Sequence, residues 1–565
     1  MARIGWRSSI AIIIVSISGL GPVNSAAGKG MAKAPKVDIV LAPSAIDPDK
    51  GTAILNVRMT ISGAETNGKE ISFVHQGGAP GMRAPIMISD LQLKDAQGKA
   101  PIVEATYEDD VRGWKSQRSV SGPISVSYYI RIDNRNGGIL ATIPHVEGEG
   151  LSGIGNMILL LPRLHDPYGI SLRWDLTAMP AGSQGVTSFG DGNISLPAGS
   201  LKRLEFMMVM AGKIDRQPKD PNSPFAAVWT AEPTFDARSA MQWSNDLYHW
   251  MSIFFKDPAE PVYRVFLRNS DRKGVNGVAA PHSFMASYDA STTAEGIKSL
   301  LGHEMTHTWT AADIGKWYSE GNAVYYQVRL PWRAGMVSTD DYLKDINATA
   351  GRYYSNTAIN APDTEILPNF WSDKRMSVLP YDRGAMYFAL LDGKIRRASG
   401  GRRGIDDLIL AMVDLNRRGR PVTEKVWIDI LHSELGEEGI KIHRDMMAGA
   451  TIVPESGDFG PCFERVSTTI RQFDLGFGGP AVGQYSVVEN LRSDSEAAKA
   501  GLREGDKVSY GFSTSGPQGD PQMKVDIRVT RGDESFIISY LPRGAAVPAY
   551  QWVRSSGASK DACPR

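Results

Sequence analysis

The residues of this chain best placed to do chemistry are His303, Glu304 and His307, in the run His303-Glu304-Met305-Thr306-His307. On a helix, positions four apart share a face, so both imidazoles would point the same way with a carboxylate beside them. That set can hold a divalent metal and activate water. With 9 histidines in 565 residues, chance would produce such a string on the order of once per hundred chains of this size, so it is informative before its context is read. The context agrees. Thr292 and Glu295 read as a capping box, and Ile297, Leu300, Leu301, Met305 and Trp309 supply a face to bury. The plainer alternative is a pair of core histidines with a solvated glutamate. A third metal ligand downstream weighs against it.

A catalytic zinc takes three protein ligands and leaves a fourth position open. Two acids compete for the third place. Glu320 lies in Trp317-Tyr318-Ser319-Glu320-Gly321-Asn322-Ala323-Val324-Tyr325-Tyr326, which predicts a second helix running to about Leu330 before Pro331 stops it. Asp313 lies six residues after His307, but Thr310 stands where a turn glycine would be needed. Glu320 is favoured, with Asp313 as the rival.

These motifs, with Trp317-Tyr318-Ser319-Glu320-Gly321 and the tyrosine pair Tyr325-Tyr326, resemble the glycyl aminopeptidase family of zinc metallopeptidases within the gluzincin group. Tyr381-Asp382-Arg383-Gly384-Ala385-Met386 and the helical stretch after it are similar to the family's Y-x-x-G-A segment. The resemblance runs from about Pro221 to the C-terminus. It implies an α+β, thermolysin-like catalytic domain with one zinc ion per chain, held by His303, His307 and Glu320. It makes Glu304 the general base, which takes a proton from the attacking water and passes it to the leaving amine. Tyr381 would then donate to the oxyanion, and the substrate would be a peptide or protein cut after small N-terminal residues. The plainer role for Tyr381 is a tyrosine packed at a helix start after Pro380. The chain departs from the family at its G-G-x-E-H strand, whose acid is thought to hold the substrate's amino group. Asn276-Gly277-Val278-Ala279-Ala280-Pro281-His282-Ser283 has no acid, which leaves Asp289 or Glu295 to replace it, or endopeptidase action instead.

Lysine plus arginine and aspartate plus glutamate both number 62, so no overall field points to nucleic acid or to an anionic membrane. Arg3 and Arg7 precede an apolar run from Ile10 to Leu20 and small residues at Ser25, Ala26 and Ala27, the layout of a secretory signal peptide over 1–27. Its removal would leave a periplasmic or secreted protein without a stable membrane span. Cys462 and Cys563 flank the last domain in a compartment that permits a disulfide.

From about Val37 to Met210, alternation such as Leu55-Val57-Met59 and Ile124-Val126-Tyr128-Ile130 predicts an antiparallel β-domain, assigned to 36–220. His145 and His165 within it read as surface or structural histidines. The catalytic domain is assigned to 221–452. Residues 462–565 resemble a PDZ domain, on Phe473-Asp474-Leu475-Gly476-Phe477-Gly478 and on Ala500-Gly501-Leu502 with Gly505-Asp506. Such a domain takes a peptide C-terminus by strand addition, or packs against its neighbour. A non-catalytic PDZ adaptor with a relict hydrolase domain is the contrasting class, and it has no use for Glu304.

Overall fold

The structure, a computed structural model, describes residues 11–14, 35–77, 88–107, 111–136, 143–165, 167–270, 276–312, 314–370, 373–478, 486–509, 515–555 and 563. The expected leader lies outside these residues except for Ala11–Ile14, and so does Asp313.

The N-terminal half is built on strands whose side chains alternate between inside and outside. A seven-stranded sheet runs in the order Ile194–Gly199, Tyr168–Trp174, Lys36–Asp47, Thr52–Ser62, Ile124–Asp133, Ile88–Asp95 and Gly98–Ala100. Val37, Ile39, Leu41, Leu55, Val57, Met59, Val126 and Ile130 point into its core, as the two-residue period requires. The sheet is not wholly antiparallel as expected, because Tyr168–Trp174 pairs in parallel with Lys36–Asp47. That pairing joins strands far apart in sequence, and local alternation carries no information about strand direction.

A six-stranded sheet underlies the helical half, in the order Ala11–Ile14, Asn276–Ala280, Ser283–Tyr288, Tyr263–Asn269, Phe225–Trp229 and Asp215–Gln217. One face meets the N-terminal half, where Val228, Phe266, Val278 and Met285 pack with Ile154, Val186, Met208 and Met210. The other face carries the helices Ala237–Phe254 and Ala294–Thr310, through Phe225, Val265, Leu267 and Phe284. Further helices follow at Lys316–Tyr326, Arg329–Arg333, Thr339–Ser355, Lys374–Ala398, Ile405–Arg417, Glu424–Leu435 and Glu437–Met447.

Two helix boundaries differ from those predicted. The second helix ends at Tyr326, and Pro331 sits inside the separate short helix Arg329–Arg333. A proline is tolerated in a first turn, where its missing N–H has no intrahelical partner to lose. Tyr381 is not at a helix start either, since Lys374–Ala398 is one helix with Pro380 inside it.

The C-terminal region has two parts. Phe463–Phe473 pairs with Arg543–Arg554, and this ribbon docks on the Thr339–Ser355 helix, where Asn347 exchanges two hydrogen bonds of 2.8 Å with the Trp552 backbone. Beyond it lies a four-stranded antiparallel sheet of Ser486–Val487, Lys507–Ser509, Val525–Arg531 and Glu534–Tyr540. Its small core holds Val488, Ala497, Leu502, Val508, Ile527 and Val529. A disulfide joins Cys462 to Cys563. Among the described residues, no helix is long and apolar enough to cross a membrane.

Candidate metal centre

The Ala294–Thr310 helix is capped by Thr293, whose Oγ1 accepts from the Gly296 N–H at 3.1 Å. Thr292, expected at the cap, accepts instead from the Asp289 N–H in the turn before it. Ile297, Leu300, Leu301 and Met305 are fully buried under this helix. Trp309 closes its C-terminal end, stacked on Phe255 at 5.0 Å with Nε1 donating to Asp257. Burying this face is worth about 1.5–3 kcal/mol per large apolar side chain, which fixes the rotation of the helix about its axis. That rotation turns His303, Glu304 and His307 towards the Lys316–Tyr326 helix.

Close backbone contact then sets the distance. A Cβ at Gly302 would lie 2.5 Å from the Gln327 carbonyl oxygen, and one at Gly384 would lie 2.5 Å from the Trp317 carbonyl and 2.6 Å from Gly321 Cα. Only glycine permits the three helices to approach so closely. The loop between the first two helices has room to turn because Gly315 takes φ +126°. Thus only thirteen positions separate His307 from Glu320, yet the carboxylate swings back to the imidazoles.

The predicted set converges. His303 Nε2 lies 3.5 Å and His307 Nε2 3.4 Å from Glu320 Oε2, and the three ligand atoms all fall within 4.8 Å of one another. Among the described residues, no other group of three or more such side chains has this geometry. His303 and Glu304 are 2% exposed and Glu320 is 0% exposed. At 3.4–3.5 Å these contacts are too long for good N–H···O bonds. Both Nε2 atoms and all four carboxylate oxygens of Glu304 and Glu320 are buried without a hydrogen-bond partner. Leaving that many polar atoms dry and unpaired would be costly unless an ion belongs there. Zinc fits. Bonds of about 2.0–2.1 Å to nitrogen and oxygen put the corners of a tetrahedron about 3.4 Å apart, which matches the two imidazole-to-carboxylate distances.

The electrostatics are those of a dry pocket. Burial pushes the Glu304 carboxyl up to about 8, with His303 opposing and Glu320 adding to the shift. Burial would raise Glu320 too, but the charge and close contacts of His307 and His303 outweigh it and hold that carboxyl well below its ordinary range. Burial, then the charges of Glu320 and Glu304, keep the Tyr381 hydroxyl protonated far above its ordinary value. The Tyr381 ring lies nearly parallel to that of His303, 5.9 Å away.

The two acids named as stand-ins for the missing strand carboxylate both lie at the start of the Ala294–Thr310 helix, one in the turn before it and one in its first turn. Asp289 Oδ1 accepts from the Ser291 backbone and hydroxyl. Glu295 is half-exposed in the first turn of the helix, two turns before His303. Ala279 occupies the helix-facing side of the Asn276–Ala280 strand, packed against the hydrophobic core of the helical half. Two features escaped sequence reading. The Gly321–Gly384 contact links residues 63 positions apart and has no local signal. Lys316, whose ammonium lies 3.8 Å from Glu320 Oε1, could have been found from its i,i+4 spacing to Glu320.

The sequence matches no protein-family model and no curated protein. The fold does have solved counterparts. An aminopeptidase N family protein from Idiomarina loihiensis superposes with a TM-score of 0.66 at 14% identity, over 91% of this chain and 98% of that one. An M1 zinc metallopeptidase from Deinococcus radiodurans aligns at a TM-score of 0.46 and 14% identity, over 75% of this chain and 97% of its own. Native yeast LTA4 hydrolase aligns at 0.46 and 12%, over 74% and 68% respectively. At such identities the likeness speaks to the fold alone. This chain shares a β-rich N-terminal half and a helical half, and the candidate metal site lies in the latter.

Proposed function

We propose that this chain is an exported zinc-dependent peptidase, with His303, His307 and Glu320 holding the metal, Glu304 as general base and Tyr381 as oxyanion donor. The observation that carries this reading is the approach of both Nε2 atoms to Glu320 Oε2 at 3.4–3.5 Å in a pocket where those atoms have no other partner. Zinc in such a site makes water nucleophilic near neutral pH and polarises a carbonyl. Glu304 does the proton work. Its dry environment raises its proton affinity, so it can take a proton from water and hand it to the departing amine. Tyr381, held protonated beside His303, can donate its hydroxyl to the developing oxyanion.

The resemblance to glycyl aminopeptidases makes aminopeptidase action on small N-terminal residues the first expectation. Endopeptidase action is the second reading, and Ala279, Asp289 and Glu295 favour it. An ammonium in a partly dry cleft needs a carboxylate; the strand position Ala279 has none, Asp289 is engaged by Ser291, and Glu295 is half-exposed. Domain limits of 36–220, 221–452 and 462–565 fit this assignment. Export is supported by the leader pattern over 1–27 and by the Cys462–Cys563 disulfide. The PDZ assignment draws support from the antiparallel sheet and the Ser495-capped helix Glu496–Lys499. In the loop that would receive a peptide C-terminus, the Gly476 N–H already donates to Asp474 and the Gly478 N–H to the Glu489 carbonyl. These bonds favour a module that packs over one that captures peptides.

The test is zinc content by metal analysis, then hydrolysis of free and N-acetylated alanyl and glycyl peptides by wild type and Glu304→Gln. An aminopeptidase spares the acetylated peptides and an endopeptidase cuts them. Equal behaviour of wild type and variant would place the chain among adaptors.

A further inference from the structure

We infer that Lys316 is a positioning residue for the Glu320 carboxylate, holding it so that a single oxygen faces the imidazole pair. This rests on the reading of His303, His307 and Glu320 as zinc ligands. The two oxygens of Glu320 are divided between different neighbours: Oε2 is the atom 3.5 and 3.4 Å from the imidazole nitrogens, while Oε1 lies 3.8 Å from Lys316 Nζ. The two residues are one turn apart on the same helix, so the side chains run alongside each other. The lysine is itself held. Its side chain is only 21% exposed, and its ammonium sits 5.6 Å above the buried Phe370 ring.

An i,i+4 pair on an open helix surface contributes little. Here one partner is 0% exposed, so the ammonium acts on the carboxylate through a poorly screening medium. The consequence concerns coordination. A carboxylate can grip a metal through one oxygen or through two, and a catalytic zinc works by keeping a position open for water. Lys316 draws Oε1 aside and leaves that position unfilled. A fixed cation also opposes a nearby dication, so this lysine does not serve tight metal binding. Its role is to keep the grip of Glu320 restricted to one oxygen.

Three measurements on the full-length chain, as Lys316→Met and Lys316→Arg, decide the matter: zinc affinity by chelator competition, the visible absorption of the cobalt-substituted protein, and kcat with KM. In Lys316→Met the freed carboxylate should swing both oxygens onto the metal. The cobalt bands should then weaken several-fold as coordination rises from four to five, with zinc held several-fold more tightly. The kcat should fall about tenfold or more while KM changes by about twofold at most. Lys316→Arg, which keeps the charge, should restore the spectrum and kcat. Unchanged cobalt absorption and zinc affinity in Lys316→Met would reduce the pair to an ordinary helix contact and overturn the inference. So would weaker zinc binding with a lowered melting temperature that arginine does not rescue, because that marks a structural role. Wild-type protein that takes up no zinc would overturn the zinc-site reading itself, a failure distinguishable from either of these.

Discussion

Replacing Glu304 by glutamine tests the proposed chemistry and the electrostatics together, because the two effects run in opposite directions. Glu304 is 2% exposed, and burial raises its carboxyl from the ordinary 4.5 to about 8. A raised carboxyl pKa means that the folded protein tolerates the neutral acid and penalises the anion. The stability that the neutral form gives is fully present below about pH 4.5 and is lost as pH rises through about 8. Each pH interval between those limits costs about 1.36 kcal/mol, so at pH 7 the metal-free protein carries a penalty of about 3 kcal/mol. Glutamine has nearly the same shape and no proton to lose. Metal-free Glu304→Gln should therefore be more stable than metal-free wild type by about 3 kcal/mol at pH 7, which is about 6–12 °C in melting temperature for a unit of this size. The gap should vanish near pH 4, widen with pH, and level off above about pH 8. In the zinc-loaded protein kcat/KM should drop about 10²–10⁴-fold, with zinc content unchanged. Calorimetry of the chelator-treated proteins across pH and a peptidase assay measure the two arms. Coincident melting curves at every pH would refute the electrostatic argument, and undiminished activity would refute the role of Glu304 as base.

Tyr381→Phe removes the hydroxyl and leaves the ring beside His303 in place. The expected result is a fall in kcat of about 10²-fold, equivalent to about 3 kcal/mol, with little change in KM and zinc retained. Gly384→Ala should separate the Lys316–Tyr326 and Lys374–Ala398 helices, because its Cβ would sit 2.5 Å from the Trp317 carbonyl. Zinc uptake should weaken, and thermal unfolding should come earlier by an amount equivalent to about 1–3 kcal/mol. Replacing Cys462 and Cys563 together by serine opens a loop closed across a sequence separation of 101 residues. The chain-entropy model puts that loss at up to about 4.7 kcal/mol, so unfolding should come earlier while peptidase activity at low temperature persists. Activity that disappears without any change in melting would contradict a purely structural disulfide.

The candidate site was legible in the sequence because its signals are local. His303, Glu304 and His307 lie within one turn and a half of helix, and a cap with a buried face was visible around them without knowledge of anything distant. Glu320 could be named for the same reason, since thirteen residues leave little freedom about where a short loop can deliver the next helix. What the sequence concealed depends on backbone contacts between remote segments. Gly321 and Gly384 look like unremarkable helix interiors, each of which should cost stability relative to alanine. Only the meeting of the two helices shows that a methyl group at either place would push apart the segments carrying Glu320 and Tyr381. Pro380 misled in the same way. A proline normally ends a helix, which made a helix start the plainer alternative for Tyr381, but the buried contacts of Leu379, Met386, Tyr387 and Phe388 hold the helix continuous through it. The parallel pairing of Tyr168–Trp174 with Lys36–Asp47 escaped for a different reason, because alternation reports which face is buried and says nothing of strand direction. The pattern therefore has a physical cause. Ligand identity is written within a few turns of helix, whereas ligand spacing is set by close approaches whose partners lie many residues away. A substitution at Gly384 should thus damage the metal centre as surely as one at a ligand, although nothing near that glycine in the chain announces it.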